Sequence, residues 1–232
     1  MKRLIVALMG ASLVASLAVA QAATALKTQQ DKLSYSMGVM TGRAFKAHNV
    51  KVNPTVFTAG LNDGISGKKT QMTDAQIRAT FESFQKQAIE KMQMQMKKLG
   101  KQNIQQGTQF LASNKNKAGV VATANGLQYK IIKAGHGASP TLQDIVTVNY
   151  EGKLINGKVF DSSYKRGKPT TFPVSNVIKG WQQALIKMKP GAIWEIYIPA
   201  KLAYGARGAP GLIGPNATLI FKVNLIAVKK HK

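Results

Sequence analysis

The sequence predicts an α+β protein: a carboxy-terminal antiparallel β-sheet wrapped around a short helix, preceded by a helical region and one long connecting α-helix. Three observations carry this expectation. The apolar period is helical up to about residue 116 and close to two residues beyond it. A proline-free stretch of about 40 residues follows Thr73 and keeps one apolar stripe. The later segments alternate between glycine-rich turns, and a single amphipathic stretch interrupts them.

Taken in order, residues 1–22 read as an export signal. Lys2 and Arg3 precede an apolar run from Leu4 to Ala20, and small residues around Ala18, Ala20 and Ala22 suit cleavage. Gly, Ser and Ala dilute the run, which favours a cleavable signal over a membrane anchor. The expected location is therefore exported: periplasm or cell surface, outer-membrane-associated or secreted. The chain has no cysteine, which excludes disulfides, thiol catalysis and thiolate zinc sites.

Residues 23–72 form the expected amino-terminal helical region. "DKLSYSMGVMTGRAFKAH" sets Leu33, Met37, Met40, Ala44 and Phe45 at helical spacing. Asn53-Pro54 fits an N-cap with proline at the first helical position, and Gly64 and Gly67 end that helix. So few large apolar groups cannot build a core alone, so this region needs a partner.

Residues 73–118 are the expected connecting helix. Thr73 and Gln76 have capping-box spacing, and Ile77, Phe81, Phe84, Ala88, Met92, Met96 and Leu99 share one face. At about 1.5 Å per residue the rod is roughly 60 Å long. The run Met92, Met94, Met96 suggests packing more than a thioether metal site, because two of the three lie on the apolar side. Gly100 and Gly107 are expected to weaken the second half, by fraying or bending.

Residues 119–232 are the expected sheet domain. "LQYKIIK", "DIVTVNYEGKL", "TTFPV", "AIWEIYIP" and "ATLIFKVNLIAV" read as strands, and "VIKGWQQALIKM" as the one short helix. The stretch "VFDSSYKRG" sets Asp161 beside Ser162 and Ser163, which invites a hydrolase reading. A serine nucleophile needs a base, and His48, His136 and His231 are isolated. They also lack metal-ligand spacing, and no phosphate or dinucleotide loop is present, so neither a metal nor a cofactor is expected.

What remains is aromatic and branched residues near strand ends and turns. In the segments "VNYEGKLINGKVFDSSYKRGKPTTFPVSNVIKGWQQAL" and "GAIWEIYIPAKLAYGARGAPGLIGPNATLIFKVNLIAV", the motifs F-D-S-S, V-I-x-G-W, A-Y-G and A-T-L-I-F closely resemble the FK506-binding-protein (FKBP) family of peptidyl-prolyl cis/trans isomerases. The resemblance covers about Gly126 to Val228. With the upstream helices the chain resembles the macrophage-infectivity-potentiator type of bacterial isomerase, which implies a homodimer through the amino-terminal helices.

The resemblance also implies the site. Trp181 would floor a proline pocket, with Tyr150, Phe160, Phe172 and Phe221 as walls and Val177 and Ile178 at the loop entering the helix. Tyr204 would donate to a ligand carbonyl, and the Ile178 backbone N–H would serve a second one. Leu212 and Ile213 would belong to a flap, while Asp161 would polarise and orient the site with Tyr150 and Arg166 as partners. Thr170 and Ala209 depart from the family pattern and should open the rim. Proline-containing polypeptide clients, FK506- or rapamycin-like ligands, chaperone activity and a virulence-associated role are implied in the same way.

Charge adds a separate expectation. The chain has 33 Lys+Arg against 9 Asp+Glu, so loss of Lys2 and Arg3 with the signal takes the net charge from +24 to +22. Such a field attracts anionic envelope or host surfaces. Nucleic acid is disfavoured, because the lysines are scattered rather than gathered with aromatics.

Overall fold

The computed structural model describes residues 25–67 and 69–230; the expected signal at 1–22 and His231 lie outside them. The chain divides into two units, Met1–Thr73 and Asp74–Lys232.

The first unit holds α1 (Gln29–Ala47) and α2 (Pro54–Ser66). Thr28 caps α1 in a reciprocal box: the Asp31 N–H donates to Thr28 Oγ1 at 3.0 Å and the Thr28 N–H donates to Asp31 Oδ2 at 2.8 Å. Asn53 Oδ1 accepts from the Thr55 and Val56 N–H groups ahead of α2, and Gly67 ends that helix in the left-handed region. An edge-on contact joins Phe45 to Phe57 at 5.5 Å. Neither helix buries a residue.

The second unit begins with α3 (Asp74–Asn114), which runs unbroken through Gly100 and Gly107. The expected fraying does not occur, because those glycines are contact points. A Cβ at Gly107 would lie 2.3 Å from Thr218 Oγ1, and one at Gly100 would lie 3.3 Å from the Pro215 side chain. Near its end, Asn114 Nδ2 donates to Gln128 Oε1 at 3.0 Å, Gln128 Nε2 donates to the Leu111 carbonyl at 2.8 Å, and Phe110 meets Tyr197 at 5.9 Å. Met92, Met94 and Met96 are exposed among the described residues.

Seven antiparallel strands follow: β1 (Val120–Ala122), β2 (Gln128–Lys133), β3 (Ile145–Leu154), β4 (Val159–Ser162), β5 (Thr170–Pro173), β6 (Ile193–Ile198) and β7 (Leu219–Lys229). The order is β1-β2-β6-β7-β3-β4, with β5 also paired to β3. Along β3, residues 145–148 pair with β5 and residues 151–153 pair with β4. Both partners therefore use one edge of the same strand, and the turn between them projects from that edge. The alternating side chains Val146, Val148 and Tyr150 point inward, as period two requires.

The inward face is covered by α4 (Lys179–Leu185), the short helix expected from "VIKGWQQALIKM". Trp181, Ala184, Leu185 and Met188 are buried against Ile196, Ile198, Leu219, Val223 and Leu225. This places the head of α4, with Trp181, beneath the ends of β3, β4, β5 and β7.

Candidate active site

At that end of the sheet lies a cavity of about 570 Å³. Its lining includes every residue expected from the sequence: Tyr150, Phe160, Asp161, Phe172, Val177, Ile178, Trp181, Tyr204, Leu212, Ile213 and Phe221. Asn176, Pro210 and Gly211 also line it and were not anticipated; Ala209, expected only as a departure at the rim, is part of the wall.

The apolar half is organised around one indole. Trp181 receives Tyr150 at 5.2 Å, Phe221 at 5.2 Å and Phe172 at 6.0 Å, all within a few degrees of perpendicular. Phe160 stands edge-on to Phe221 at 5.5 Å. Edge-to-face pairs put positive ring edges against negative faces, and each contributes about 0.5–1.5 kcal/mol beyond area burial. Such a set holds the rings in one arrangement before anything enters.

Gly152 makes that arrangement feasible. On the inward face of β3, a Cβ there would lie 2.6 Å from the Phe160 ring and 2.7 Å from the Phe221 ring. Sequence reasoning missed this residue. Its signal was present, since the inward alternation Val146, Val148, Tyr150 continues to a position with no side chain.

The polar half is built by the turn after β4. The Ser163 N–H donates to the Tyr150 carbonyl at 2.9 Å, Ser163 Oγ accepts from the Tyr150 N–H at 2.9 Å, and Ser163 Oγ reaches Asn149 Oδ1 at 3.0 Å. Ser162 Oγ accepts from the Lys165 N–H at 3.4 Å. Both hydroxyls thus serve the backbone and neighbouring amides, and neither faces a histidine. The turn returns Arg166 to Asp161, where Nη1 donates to Oδ1. Nη2 also donates to the Tyr150 hydroxyl at 2.9 Å and to Thr170 Oγ1 at 3.3 Å. The Tyr150 hydroxyl in turn donates to Asp161 Oδ2. Thr170, expected at the rim, does not line the cavity but joins this network.

These contacts set the charges. Burial pushes the Asp161 carboxyl up, but hydrogen bonds from Tyr150 and Arg166, with the guanidinium charge, outweigh it and hold the group below the ordinary carboxylate range. Burial first, and then the hydrogen bond to Asp161, push the Tyr150 hydroxyl up. Burial, then the Asp161 charge, does the same to Tyr204. At neutral pH both phenols are protonated donors beside an ionised, paired carboxylate.

Tyr204 is half exposed at the cavity mouth, and its hydroxyl has no hydrogen-bond partner among the described residues. Ile178 is the N-cap of α4, where backbone N–H groups have no intrahelical acceptor. Among the described residues no His/Cys/Asp/Glu cluster suited to a metal ion occurs. The cavity can therefore bind an apolar ring, exclude water and present donors to carbonyls. It contains no activated nucleophile.

Comparison with known proteins agrees with this chemistry. The family model for FKBP-type peptidyl-prolyl cis-trans isomerase matches residues 137–226, and the model for the domain amino terminal to it matches residues 30–131. The chain is 62% identical to peptidyl-prolyl cis-trans isomerase Mip of Coxiella burnetii, over 99% of this chain and 100% of that protein. It is 48% identical to outer membrane protein MIP of Legionella longbeachae, over 99% and 98%. The crystal structure of FkpA from Escherichia coli superposes with a TM-score of 0.69 at 34% identity, covering 88% of this chain and 99% of that one. The chain belongs to the FKBP-type peptidyl-prolyl cis-trans isomerases, and its fold and enzyme class follow from that membership.

Proposed function

We propose that the cavity under β3 to β5 is the site of X–Pro rotation, with Trp181 as the floor beneath the proline ring. Phe160, Phe172 and Phe221 form the walls, Val177, Ile178, Leu212 and Ile213 the rim, and Tyr204 and the Ile178 N–H the donors to substrate carbonyls. The carrying observation is the pairing of a rigid aromatic box with a carboxylate already neutralised by Arg166 and Tyr150.

The planar amide owes its barrier of about 18–20 kcal/mol to resonance, which is lost on twisting. The twisted amide has less charge separation, so a dry apolar box favours it over the planar ground state. Fixed donors hold the carbonyl as it turns. No proton is transferred, which suits a site whose carboxylate is locked to Arg166 and Tyr150.

In a protease-free isomerisation assay, Trp181→Ala is expected to lower kcat/KM at least tenfold, with smaller losses for Tyr204→Phe and Asp161→Ala. No change in any of them would remove the assignment. The pH profile supplies a second check. Because Asp161 is held below its unfolded value of about 3.9, its contribution is fully present above that value. It is lost only as pH falls through the lower folded value, so activity should be flat between pH 5 and 8. An inflection in that window would contradict the paired arrangement.

The reading extends to a dimeric folding catalyst in the cell envelope. Support comes from α1 and α2, which bury nothing while exposing Met37, Met40 and Ile65, and from relatives named as an outer membrane protein and as FkpA. Among the described residues no helix is long and apolar enough to cross a membrane. In this organisation residues 23–72 dimerise, residues 73–118 connect and residues 119–232 catalyse. Clients are proline-containing chains, FK506- or rapamycin-like compounds occupy the same cavity, and the basic surface favours anionic envelope components. Light scattering should give twice the chain mass for the mature protein and a monomer for Met40→Glu/Ile65→Glu. A monomeric parent would refute this organisation.

A further inference from the structure

The segment from Gly205 to Thr218 has two faces. Its first limb and tip, Ala209 to Ile213, line the cavity. Its return limb, Gly214 to Thr218, lies against α3. One peptide bond separates Ile213 at the cavity from Gly214, whose added Cβ would lie 2.9 Å from Leu99 Cδ2. The limbs are tied together by the Ala209 N–H donating to the Ile213 carbonyl at 2.8 Å and the Asn216 N–H donating to the Gly205 carbonyl at 2.8 Å.

On the helix side, Asn103 Nδ2 donates to the Pro215 carbonyl at 2.7 Å across 112 residues of sequence. Pro215 and Thr218 fit there because Gly100 and Gly107, about one helical turn before and after Asn103, have no side chain. The Pro215 carbonyl thus finds its donor on a helix outside the sheet.

We propose that Asn103 is a positioning residue for the isomerase reaction. Held through Pro215 in the notch between Gly100 and Gly107, the flap keeps Ala209 to Ile213 over the cavity, so α3 sets how tightly the site closes on a substrate. This rests on the site assigned above and extends it to a helix that contributes no lining residue.

The test uses the mature full-length protein and a Leu-Pro peptide in the isomerisation assay. Asn103→Ala and Asn103→Asp, the latter keeping size but losing the donor, are expected to raise KM about three- to tenfold with kcat within twofold, the range one net hydrogen bond spans. Gly107→Ala, which drives a Cβ into Thr218, should act in the same direction, whereas Lys101→Ala on the same helix should not. Hydrogen exchange at the Ala209 and Asn216 amides should quicken in the Asn103 variants while the α4 amides keep their protection. Wild-type KM and unchanged flap exchange in both Asn103 variants would overturn the proposal, as would parallel loss of kcat and α4 protection, which marks general destabilisation. An inactive parent, by contrast, would refute the site assignment itself.

Discussion

The two halves of α3 obey opposite rules. Residues 74–98 present Ile77, Phe81, Phe84 and Met92 to solvent, with Phe81 at 59% and Met92 at 64% exposure. The second half buries Gly100, Gly107 and Asn114, none of them a large apolar residue. The first half has an apolar stripe whose large side chains stay exposed among the described residues. The second makes its contacts through absent side chains and amides, with one ring, Phe110, against Tyr197. Burial on this helix therefore follows the shape of what lies opposite rather than the hydrophobicity of the stripe.

That contrast can be broken by substitution. The largest effect is expected for Gly100→Leu, where a Cβ already 3.3 Å from Pro215 and Asn216 would be extended. Overpacking of this kind costs about 1–3 kcal/mol, read as a lower midpoint in urea unfolding. Asn114→Ala comes next, at about 1–2 kcal/mol, because buried Gln128 Oε1 loses its donor. Gly60→Ala in α2 should reverse the sign. Nothing lies within 4 Å of its Cβ position, so removing glycine from a helix interior should stabilise by about 0.5–1 kcal/mol. A loss there would mean that a second chain fills the space. Phe81→Ala should change unfolding least, by under about 0.5 kcal/mol, as for other exposed positions.

Much of this was legible in the sequence. The change of period at the end of the long helix, the strand segments of β2, β3, β5, β6 and β7, and the Asn53 cap follow from local rules. The aromatic lining was legible through motifs whose residues converge only in the fold. Two strands escaped: β1 has three residues, and β4 coincides with F-D-S-S, whose chemistry drew attention from its alternation. The roles of Gly100, Gly107 and Asn103 escaped for a different reason. Helix propensity is a local quantity and counts a glycine as a weakness. Only the return limb of a flap more than a hundred residues away turns it into a fit.

The position of β7 has a consequence for synthesis. It comes after the other described strands in chain order, yet it lies in the interior of the sheet, hydrogen-bonded to β6 on one side and β3 on the other. Until Leu219–Lys229 emerge from the ribosome, β3 and β6 have no common neighbour and Phe221 is missing from the cavity. A premature stop anywhere before Leu219 thus splits the sheet through its middle instead of trimming an edge. A nascent chain that stops before Leu219 cannot complete the cavity.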